Sequence, residues 1–438
     1  MIFVKNICTI VIDRNEMEDI SMLIQFSFKN YKSFRDDTVL DMSATKITEH
    51  GDRVISIGKE KLLPTAAIYG ANASGKSNVI EAFRFMTTYV MDSFAYGGEH
   101  SKDKKKAKMK TRTPFLFDEH SSNEESTFEV YFITPEEEGG KTYNYGFALT
   151  DSGVSEEWLN VKAKTAKEFK SIFYREGNEL EFKGIPAKSQ ENIKIALEKE
   201  ALVVSLGAKL KVSKLKMIRD WFFNVNFANF GNPIEDAFLS RLIPDHFADD
   251  KEVQKNVVNY FASFDPSIIG FNVRTFKNED DEEYLKIDAI HKIAGTDKTA
   301  SIPLEEESDG TLKMFALYPA LQDALETGGL LCVDELNARL HPLLVRSFLI
   351  TFLDPKINKN HAQIIFTTHD TWQLSNNLLR RDEIWFTDKA EDGATTLYSL
   401  ADFVDEDGVK IRKDESYEKN YLLGKYKAIP SLKAFDMF

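Results

Sequence analysis

The chain has 438 residues, 42% hydrophobic and 29% charged, a composition typical of a globular protein and unlike disordered, collagen-like or low-complexity chains. Its formal net charge of −14 makes the average surface repel nucleic acid, so contact with DNA or RNA would need a local basic patch. The two cysteines, Cys8 and Cys332, lie far apart in sequence and favour neither a disulfide framework nor a cysteine-built zinc site.

The first 21 residues begin with an apolar run but carry Lys5, Asp13 and Arg14 and lack a small-residue cleavage pattern, so they make a poor signal peptide. Met22 opens a cleaner pattern in which apolar and polar residues alternate, which predicts a strand. We interpret 1–21 as an N-terminal extension or an over-called start. Because no apolar run approaches the roughly 18 residues of a membrane-spanning helix, we expect a cytoplasmic protein without a membrane partner.

Residues 22–188 are predicted to form an N-terminal lobe. Residues 65–69 form a short apolar strand that enters a glycine turn, and apolar residues then recur at helical spacing. The runs 127–133 and 143–149 predict an antiparallel meander. Between them and the helix, 102–112 holds seven basic residues and one acid. Such a run is usually a solvated loop; the alternative is a patch that contacts the phosphates of DNA or RNA.

Residues 189–265 have a mostly helical pattern without sustained heptads, which predicts an inserted helical subdomain and excludes long coiled-coil arms. Residues 266–438 are predicted to form a C-terminal lobe. A hairpin at 268–292 is followed by helices that alternate with apolar strands at 330–333 and 363–368. This alternation is typical of an α/β fold with a mainly parallel sheet.

The strongest motif is GANASGKS at 70–77, which fits the phosphate-loop pattern G-x-x-x-x-G-K-[ST] between a strand and a helix. Backbone N–H groups of such a loop cradle phosphates, Lys76 would neutralise the β- and γ-phosphates, and Ser77 would offer its hydroxyl to Mg²⁺. The alternative is a glycine-rich turn that only caps a helix. The residues expected to contact nucleotide here are Gly70, Asn72, Ser74, Gly75, Lys76, Ser77 and Asn78.

Two further motifs flank one helix. LLCVDEL at 330–336 is an apolar strand that ends in two carboxylates, where open α/β sheets bind ligands. Asp334 would hold Mg²⁺ and Glu335 would act as general base toward the attacking water; a plain strand-end turn is the alternative. In ESDGTLK at 307–313, Ser308 and Gly310 precede a helix N-terminus that favours an anion, unless they form only a cap and a turn.

The last motif is IIFTTHD at 364–370, a strand that ends in His369. This strand should lie beside the strand that carries Asp334, so His369 should reach the same edge of the sheet; an ordinary core or surface histidine is the alternative. The turn LNARLHP, Leu336–Pro342, follows the two carboxylates and could line a contact between subunits.

The order of these four motifs resembles the ABC/SMC/RecF superfamily of ATPases. The resemblance implies an ABC/SMC-like ATPase head, with a mixed sheet core, an antiparallel β subdomain and an inserted helical subdomain. It also implies that two heads sandwich two ATP molecules, that Ser308 and Gly310 reach the γ-phosphate bound at the partner copy's Lys76, and that His369 is the switch histidine. Glu335, His369 and Lys76 are thus the expected catalytic residues, with ATP and Mg²⁺ as ligands and Ser77 and Asp334 as the metal-binding residues.

Finer details are similar to the RloA/AbiL-type AAA ATPases of bacterial abortive infection and phage defence, which are commonly encoded beside a partner effector. They are the opening MLIQFSFKNYKSFRDDTVLDMSA, the DELNARLHP turn, the TTHD end and YLLGKYKAIPSL near the C-terminus. The sequence departs from the pattern at Asn337 and Ala338, where an acidic residue and a glycine are expected. A Q-loop glutamine stays unassigned, since Gln190 lies in a helical segment with unsuitable surroundings.

Three functions remain open at this level. The first is an ATP-hydrolysing homo-oligomer, dimeric or higher, that acts as sensor or scaffold for a separate effector, a nuclease or toxin. The second is a DNA-repair or chromosome-associated ATPase that binds DNA through 102–112. The third is a nucleotide-sensing, antitoxin-like partner that hydrolyses slowly. Related OLD-type nucleases append a Toprim domain, but only 69 residues follow His369, so we expect that this chain does not itself cut nucleic acid.

Overall fold

The computed structural model describes residues 3–4, 22–96, 112–134, 140–239, 243–244, 246–262, 264–277, 283–405 and 408–430. Its strands are β1 Phe3–Val4, β2 Met22–Lys29, β3 Thr38–Asp41, β4 Ile55–Ile57, β5 Glu60–Leu62, β6 Thr65–Gly70, β7 Ser126–Ile133, β8 Thr142–Thr150, β9 Gly153–Lys162, β10 Lys170–Glu176, β11 Glu179–Phe182, β12 Val225–Asn229, β13 Ile268–Lys277, β14 Glu283–Lys292, β15 Thr299–Pro303, β16 Leu330–Asp334, β17 Gln363–Thr367, β18 Ile384–Lys389 and β19 Thr395–Ser399. Its α-helices are α1 Lys76–Asp92, α2 Ala187–Ala196, α3 Val203–Lys209, α4 Ser213–Phe223, α5 Pro233–Leu239, α6 Lys251–Phe261, α7 Asp309–Thr327, α8 Pro342–Leu353 and α9 Tyr417–Leu422.

The central sheet has the strand order β12-β16-β17-β6-β18-β19. All neighbours in it run parallel except β19, which pairs antiparallel with β18 at one edge. Strands β6, β16 and β17 are buried along their whole length, which explains why their sequences are nearly continuous apolar runs. The mixed α/β fold with a mainly parallel core is therefore confirmed.

The antiparallel part of the fold is a sheet of order β11-β10-β9-β8-β7-β2-β3. Helix α1 contacts strands of both this sheet and the central one. Aromatic rings fill the space between them, and Phe26 and Phe83 stack with their centroids 4.6 Å apart. The buried amide of Gln363 also joins the two sheets, since its Oε1 accepts from the Leu23 amide at 2.7 Å and its Nε2 donates to the Leu63 carbonyl at 3.0 Å.

A smaller sheet is built mainly from β13, β14 and β15. Strand β14 pairs with β13, β15 and the two-residue β1. This sheet packs on α6 and α7 through an apolar cluster that includes Phe261, Phe271 and Phe315. Strand β1 places Phe3 and Val4 of the N-terminal extension beside Leu285 and Tyr284 in register.

The segment 189–265 contains helices, as its pattern predicts, but it also contains β12, which completes one edge of the central sheet. The division of the chain at 188 and 265 remains a prediction. The basic run lies outside the described residues except for Arg112. The Arg112 side chain is buried, and its Nε donates to Asp151 Oδ1 at 2.7 Å. Arg112 itself is therefore not part of a solvated loop. No helix among the described residues is long and apolar enough to cross a membrane.

Candidate functional site

The predicted motifs meet at one edge of the central sheet. Strands β6, β12, β16, β17 and β18 are parallel, so their carboxyl ends lie on the same side. That edge is where open α/β sheets bind ligands. The phosphate loop follows β6, the two carboxylates end β16, and His369 follows β17. The fold thus gathers three of the four motifs into one site.

The phosphate loop has the backbone that its glycines permit. Gly70 and Gly75 have φ of 154° and 103°, and Ala73 is left-handed at 61°. Side chains would not fit at the two glycines. A Cβ on Gly70 would lie 2.6 Å from Ser74 Oγ, and one on Gly75 would lie 2.8 Å from Ser33 Oγ. Helix α1 then begins at Lys76, so its free amides face the loop.

Polar side chains fix the loop to its neighbours. Ser74 Oγ bonds Thr387 Oγ1 at 2.6 Å, and the Ser74 carbonyl accepts from Thr395 Oγ1 at 2.9 Å. Asn78 donates through Nδ2 to Ser33 Oγ at 2.8 Å. The side chains of Ser74 and Asn78 are therefore bonded within the protein, while Asn72 is exposed at the top of the loop.

Lys76 lies across the loop. Its Nζ donates to the carbonyls of Gly70 and Ala71, each at 3.0 Å. Burial lowers the pKa of Lys76 to about 8, against the opposing effect of Asp334 and Glu335, whose negative charges favour its protonated form. The ammonium group is thus poorly solvated, and an anion bound in the loop would stabilise it.

Asp334 and Glu335 are held by one threonine. Thr367 Oγ1 donates to Asp334 Oδ1 at 2.5 Å and accepts from the Glu335 amide at 2.8 Å. Glu335 itself has a left-handed backbone with φ of 54°, which is uncommon for a residue with a side chain. A Cβ added to Gly231, after β12, would lie 3.2 Å from Glu335 Oε1. The carboxylate of Glu335 therefore packs closely against the Gly231 backbone, where a larger side chain would displace it.

His369 is joined to the turn after the carboxylates through Asn337. The Asn337 Oδ1 accepts from Thr368 Oγ1 at 3.0 Å and from the His369 amide at 3.1 Å. The pKa of His369 is lowered, first by burial and then by the charge of Lys76, while Glu335 and Asp334 act in the opposite direction. Asn337, a departure from the expected motif, is thus the residue that fixes the histidine loop.

A buried lysine that the motifs do not identify supports the same turn. Lys313 Nζ, on α7, donates to the carbonyls of Leu336 at 2.8 Å, Ala338 at 2.7 Å and Glu335 at 3.2 Å. It also lies 4.1 Å from the centroid of the Phe230 ring. Burial lowers the pKa of Lys313 to about 7. Lys313 is the last residue of the ESDGTLK segment, but nothing in that pattern indicates a buried lysine.

Ser308 and Gly310 stand apart from this cluster of side chains. Ser308 caps α7, and its exposed Oγ accepts from the Thr311 amide at 3.1 Å. A Cβ on Gly310 would lie 3.4 Å from the Arg339 carbonyl, so the α7 N-terminus adjoins the turn after Glu335. Arg339 is also paired with Asp236 of α5 at 2.8 Å.

The residues present fit a magnesium ion that is held mainly by phosphate oxygens. Ser77 is the second residue of α1, and Asp334 faces the same edge. Among the described residues no group of three or more histidine, cysteine, aspartate or glutamate side chains could hold a metal on its own. Mg²⁺ at phosphate-transfer sites uses one or two protein ligands together with the phosphates, which matches this donor set.

The strand beside β16, which is β12, ends in a polar residue that none of the motifs includes. Asn229 ends β12, in register with Asp334, and its Oδ1 accepts from the amides of Gly231 and Asn232 at 2.9 and 3.1 Å. Gln190 lies in α2 and donates to the Ile185 carbonyl at 2.7 Å.

The match to a family model identifies an AAA domain. The family model described as "AAA domain, putative AbiEii toxin, Type IV TA system" matches residues 66–200 and 219–371. No curated protein matches the chain. Among solved structures, an SMC head bound to the C-terminal winged-helix domain of ScpA has 17% identity and a TM-score of 0.41, covering 86% of this chain and 97% of that one. The recombination mediator RecF with ATP has 13% identity and a TM-score of 0.34, covering 88% and 99%.

The family match includes the phosphate loop, the α7 N-terminus, the two carboxylates and His369. It spans well over half of the chain. The chain therefore belongs to the family of AAA-type ATPase domains described as putative AbiEii toxins of type IV toxin–antitoxin systems.

Proposed function

We propose that this protein binds ATP with Mg²⁺, hydrolyses it, and assembles into a dimer or higher homo-oligomer in which each nucleotide lies between two copies. In this role it is a sensor or scaffold of the RloA/AbiL type, which regulates a separately encoded nuclease or toxin in bacterial anti-phage defence. The observation that carries the proposal is the convergence of Lys76, Asp334, Glu335 and His369 on one edge of the sheet.

Each side chain has a distinct task at that edge. Lys76 binds the β- and γ-phosphates, and Ser77 and Asp334 hold Mg²⁺, which when bound neutralises charge on the transferred phosphoryl group. Glu335 accepts the proton of the attacking water as general base. His369 orients the terminal phosphate by donating from a ring nitrogen. In the protein without nucleotide, burial and the charge of Lys76 lower the pKa of His369.

The exposed α7 N-terminus supports the two-copy arrangement. The described contacts of Ser308 are within its own first helical turn. Its hydroxyl and the adjacent helix amides are open to an anion from outside the protomer. In the proposed assembly the Ser308 hydroxyl and these amides contact the γ-phosphate that the partner copy's phosphate loop holds. ATP binding is therefore coupled to how the copies are arranged.

The test of hydrolysis uses Glu335→Gln and Lys76→Ala. Glu335→Gln is expected to keep ATP affinity and to lower phosphate release by about 100-fold or more, the usual contribution of a general base. Lys76→Ala is expected to lose most ATP binding. Glu326→Gln, on the outer part of α7, is the matched control. Unchanged hydrolysis in the first two variants would contradict the proposed chemistry.

The test of the defence role uses a tagged copy co-expressed with its neighbouring genes. Co-purification of a neighbouring nuclease or toxin, released or retained according to whether ATP or ADP is present, is expected. Hydrolysis that is stimulated by DNA, with no protein partner bound, would instead favour the DNA-repair function. A single-turnover assay with and without the neighbour's product separates the slow-hydrolysing antitoxin-like function from both.

A further inference from the structure

An exposed aromatic side chain lies beside the phosphate loop. Phe117 is 66% exposed and its neighbour Leu116 is 65% exposed. Apolar side chains as large as these are normally covered unless they serve a contact. They belong to the segment after α1 that crosses to the antiparallel sheet, and none of the motifs includes them.

Phe117 is held rigidly despite its exposure. The preceding Phe115 is fully buried, and its amide donates to Asn30 Oδ1 at 2.9 Å. The two rings meet edge to face with their centroids 5.5 Å apart. On its other side the Phe117 ring rests on Gly393, where an added Cβ would lie 3.0 Å from the ring carbon Cδ2. The ring therefore has a fixed position, although most of the residue is exposed.

The turn under Phe117 is the one that also supports the phosphate loop. Gly393 lies in the connection between β18 and β19, and Thr395, the first residue of β19, donates through Oγ1 to the Ser74 carbonyl at 2.9 Å. One residue lies between Gly393 and Thr395, so their Cα atoms are at most roughly 7 Å apart. Arg35 anchors the same turn through Asp392 at 2.9 Å.

Phe117 is on the side of the loop from which a nucleoside would extend. Ser33 Oγ accepts from Asn78 Nδ2 at 2.8 Å and is hydrogen-bonded to Thr395 Oγ1 at 2.9 Å, so the turn borders the first residues of α1 rather than the Asp334–Glu335 side. A triphosphate with its terminal phosphate toward Glu335 has its α-phosphate, ribose and base at the opposite end. The turn that contacts Phe117 is placed toward that end.

The charge near the ring also suits a nucleotide. The ammonium of Lys389, an exposed residue at the end of β18, lies over the Phe117 ring, 5.6 Å from its centroid. A cation near an aromatic ring suits a nucleotide, because the cation contacts the phosphate charge and the ring stacks on the flat face of the base.

We propose that Phe117 is the stacking platform for the base of the bound nucleoside triphosphate, with Leu116 beside it and Lys389 at the ribose side. The inference rests on the proposed binding of nucleotide in the phosphate loop. A phenyl ring recognises the flat face of a base and not its edges. The ligands that gain from this contact are therefore nucleoside triphosphates in general. ATP and GTP make the same contact, and a triphosphate without a base does not make it.

The experiment compares three ligands in the presence of Mg²⁺: ATP, GTP and inorganic tripolyphosphate. Phe117→Ala is expected to weaken ATP and GTP by about tenfold each, the scale of one base–aromatic stack, and to leave tripolyphosphate affinity unchanged. Phe117→Leu, which keeps apolar bulk without a π face, should show the same pattern, and Phe117→Trp should retain both affinities. Phe169→Ala, at an exposed phenylalanine that directly precedes β10, is the matched control.

The outcomes separate this inference from the proposed function. If Phe117→Ala and Phe117→Leu bind ATP as tightly as wild type while Lys76→Ala does not, the platform is wrong and nucleotide binding stands. An equal loss of tripolyphosphate affinity would show damage to the phosphate loop and would overturn stacking. If wild-type protein binds neither ATP nor tripolyphosphate, the proposed function fails and this inference fails with it.

Discussion

The carboxylates at the end of β16 depend on groups that are not themselves acidic. Thr367 bonds both Asp334 and the Glu335 amide, and Lys313 bonds the carbonyls of the turn that follows. Such a turn carries polar backbone groups that are costly to leave unpaired when buried. Lys313 thus sets the position of Glu335 through the backbone, without touching the phosphate loop.

Lys313→Met tests this positioning role. Loss of the ammonium leaves the carbonyls of Leu336 and Ala338 without this donor, so we expect the free energy of unfolding to fall by about 2 kcal/mol. Hydrolysis should fall while ATP affinity stays within about twofold of wild type. Urea denaturation and phosphate release measure the two effects, with the exposed Lys286→Met as control. Normal hydrolysis with lowered stability would make Lys313 structural only.

The lowered pKa of Lys76 predicts that ATP binding takes up a proton. The free protein holds this pKa at about 8, below the ordinary value of 10.5, because the ammonium is buried. Bound phosphates favour the charged form and raise the pKa. At pH 8 binding should therefore take up about half a proton, and affinity should fall as pH rises above 8. Calorimetry in buffers of different ionisation enthalpy measures the uptake.

The same experiment at pH 6.5 serves as the control, because Lys76 is then already protonated in the free protein and the uptake should be much smaller. Lys313→Met should leave the uptake at pH 8 unchanged. No proton uptake at pH 8, in a protein that binds ATP, would contradict the assignment of Lys76 to the phosphates.

At the residue scale, the sequence predicted the groups whose side chains define a motif. Lys76, Asp334, Glu335 and His369 were found because a phosphate loop and apolar strands with polar ends have recognisable spacing. Their roles remain predictions. Residues that act by bonding to backbone atoms of distant turns carry no such signal, which is why neither Lys313 nor the link from Asn337 to the histidine loop was predicted.

At the scale of elements, the informative difference is β12. Its sequence, VNFAN, continues the apolar helical pattern of α4, and nothing local marks the change from helix to strand. The strand forms because its backbone pairs in parallel with β16 about 100 residues later. Strand preference depends on such neighbours more than on intrinsic propensity, so the sequence pattern could not predict this edge strand.

The junction after β12 gives a prediction for Gly231→Ala. The new methyl group would lie 3.0 Å from Glu335 Cδ and 3.2 Å from its Oε1, so the carboxylate has to move. Displacement of a general base by a few tenths of an ångström should slow hydrolysis by about tenfold or more, while ATP affinity is kept. Phosphate release and equilibrium binding separate the two effects.

Gly270→Ala is the matched control, because the nearest atom to its added methyl group is 3.6 Å away, an ordinary contact. It should behave as wild type in both assays. Full hydrolytic activity in Gly231→Ala would mean that the Glu335 carboxylate does not need its present position for catalysis.

At the scale of the whole molecule, the two-copy arrangement predicts that ATP changes the oligomeric state. In a Glu335→Gln background, which slows turnover, ATP should produce a dimer or larger assembly that light scattering detects after size exclusion. Ser308→Arg should prevent this assembly and keep ATP binding, since a bulky side chain would block the α7 N-terminus. Ser301→Arg on the exposed β15 is the control. An assembly that forms equally with Ser308→Arg would contradict the shared site.

The position of β6 in the central sheet has a consequence for how the protein is made. Both hydrogen-bonding neighbours of β6, which are β17 and β18, are encoded about 300 residues after it. A ribosome adding roughly 5–20 residues per second exposes the apolar β6 for on the order of 15–60 s before either partner is available. A nascent or truncated chain that stops before residue 363 has the GANASGKS sequence but lacks both of these neighbours. Nucleotide binding should therefore appear only when synthesis is nearly complete, which keeps fragments of this ATPase inactive in the cell.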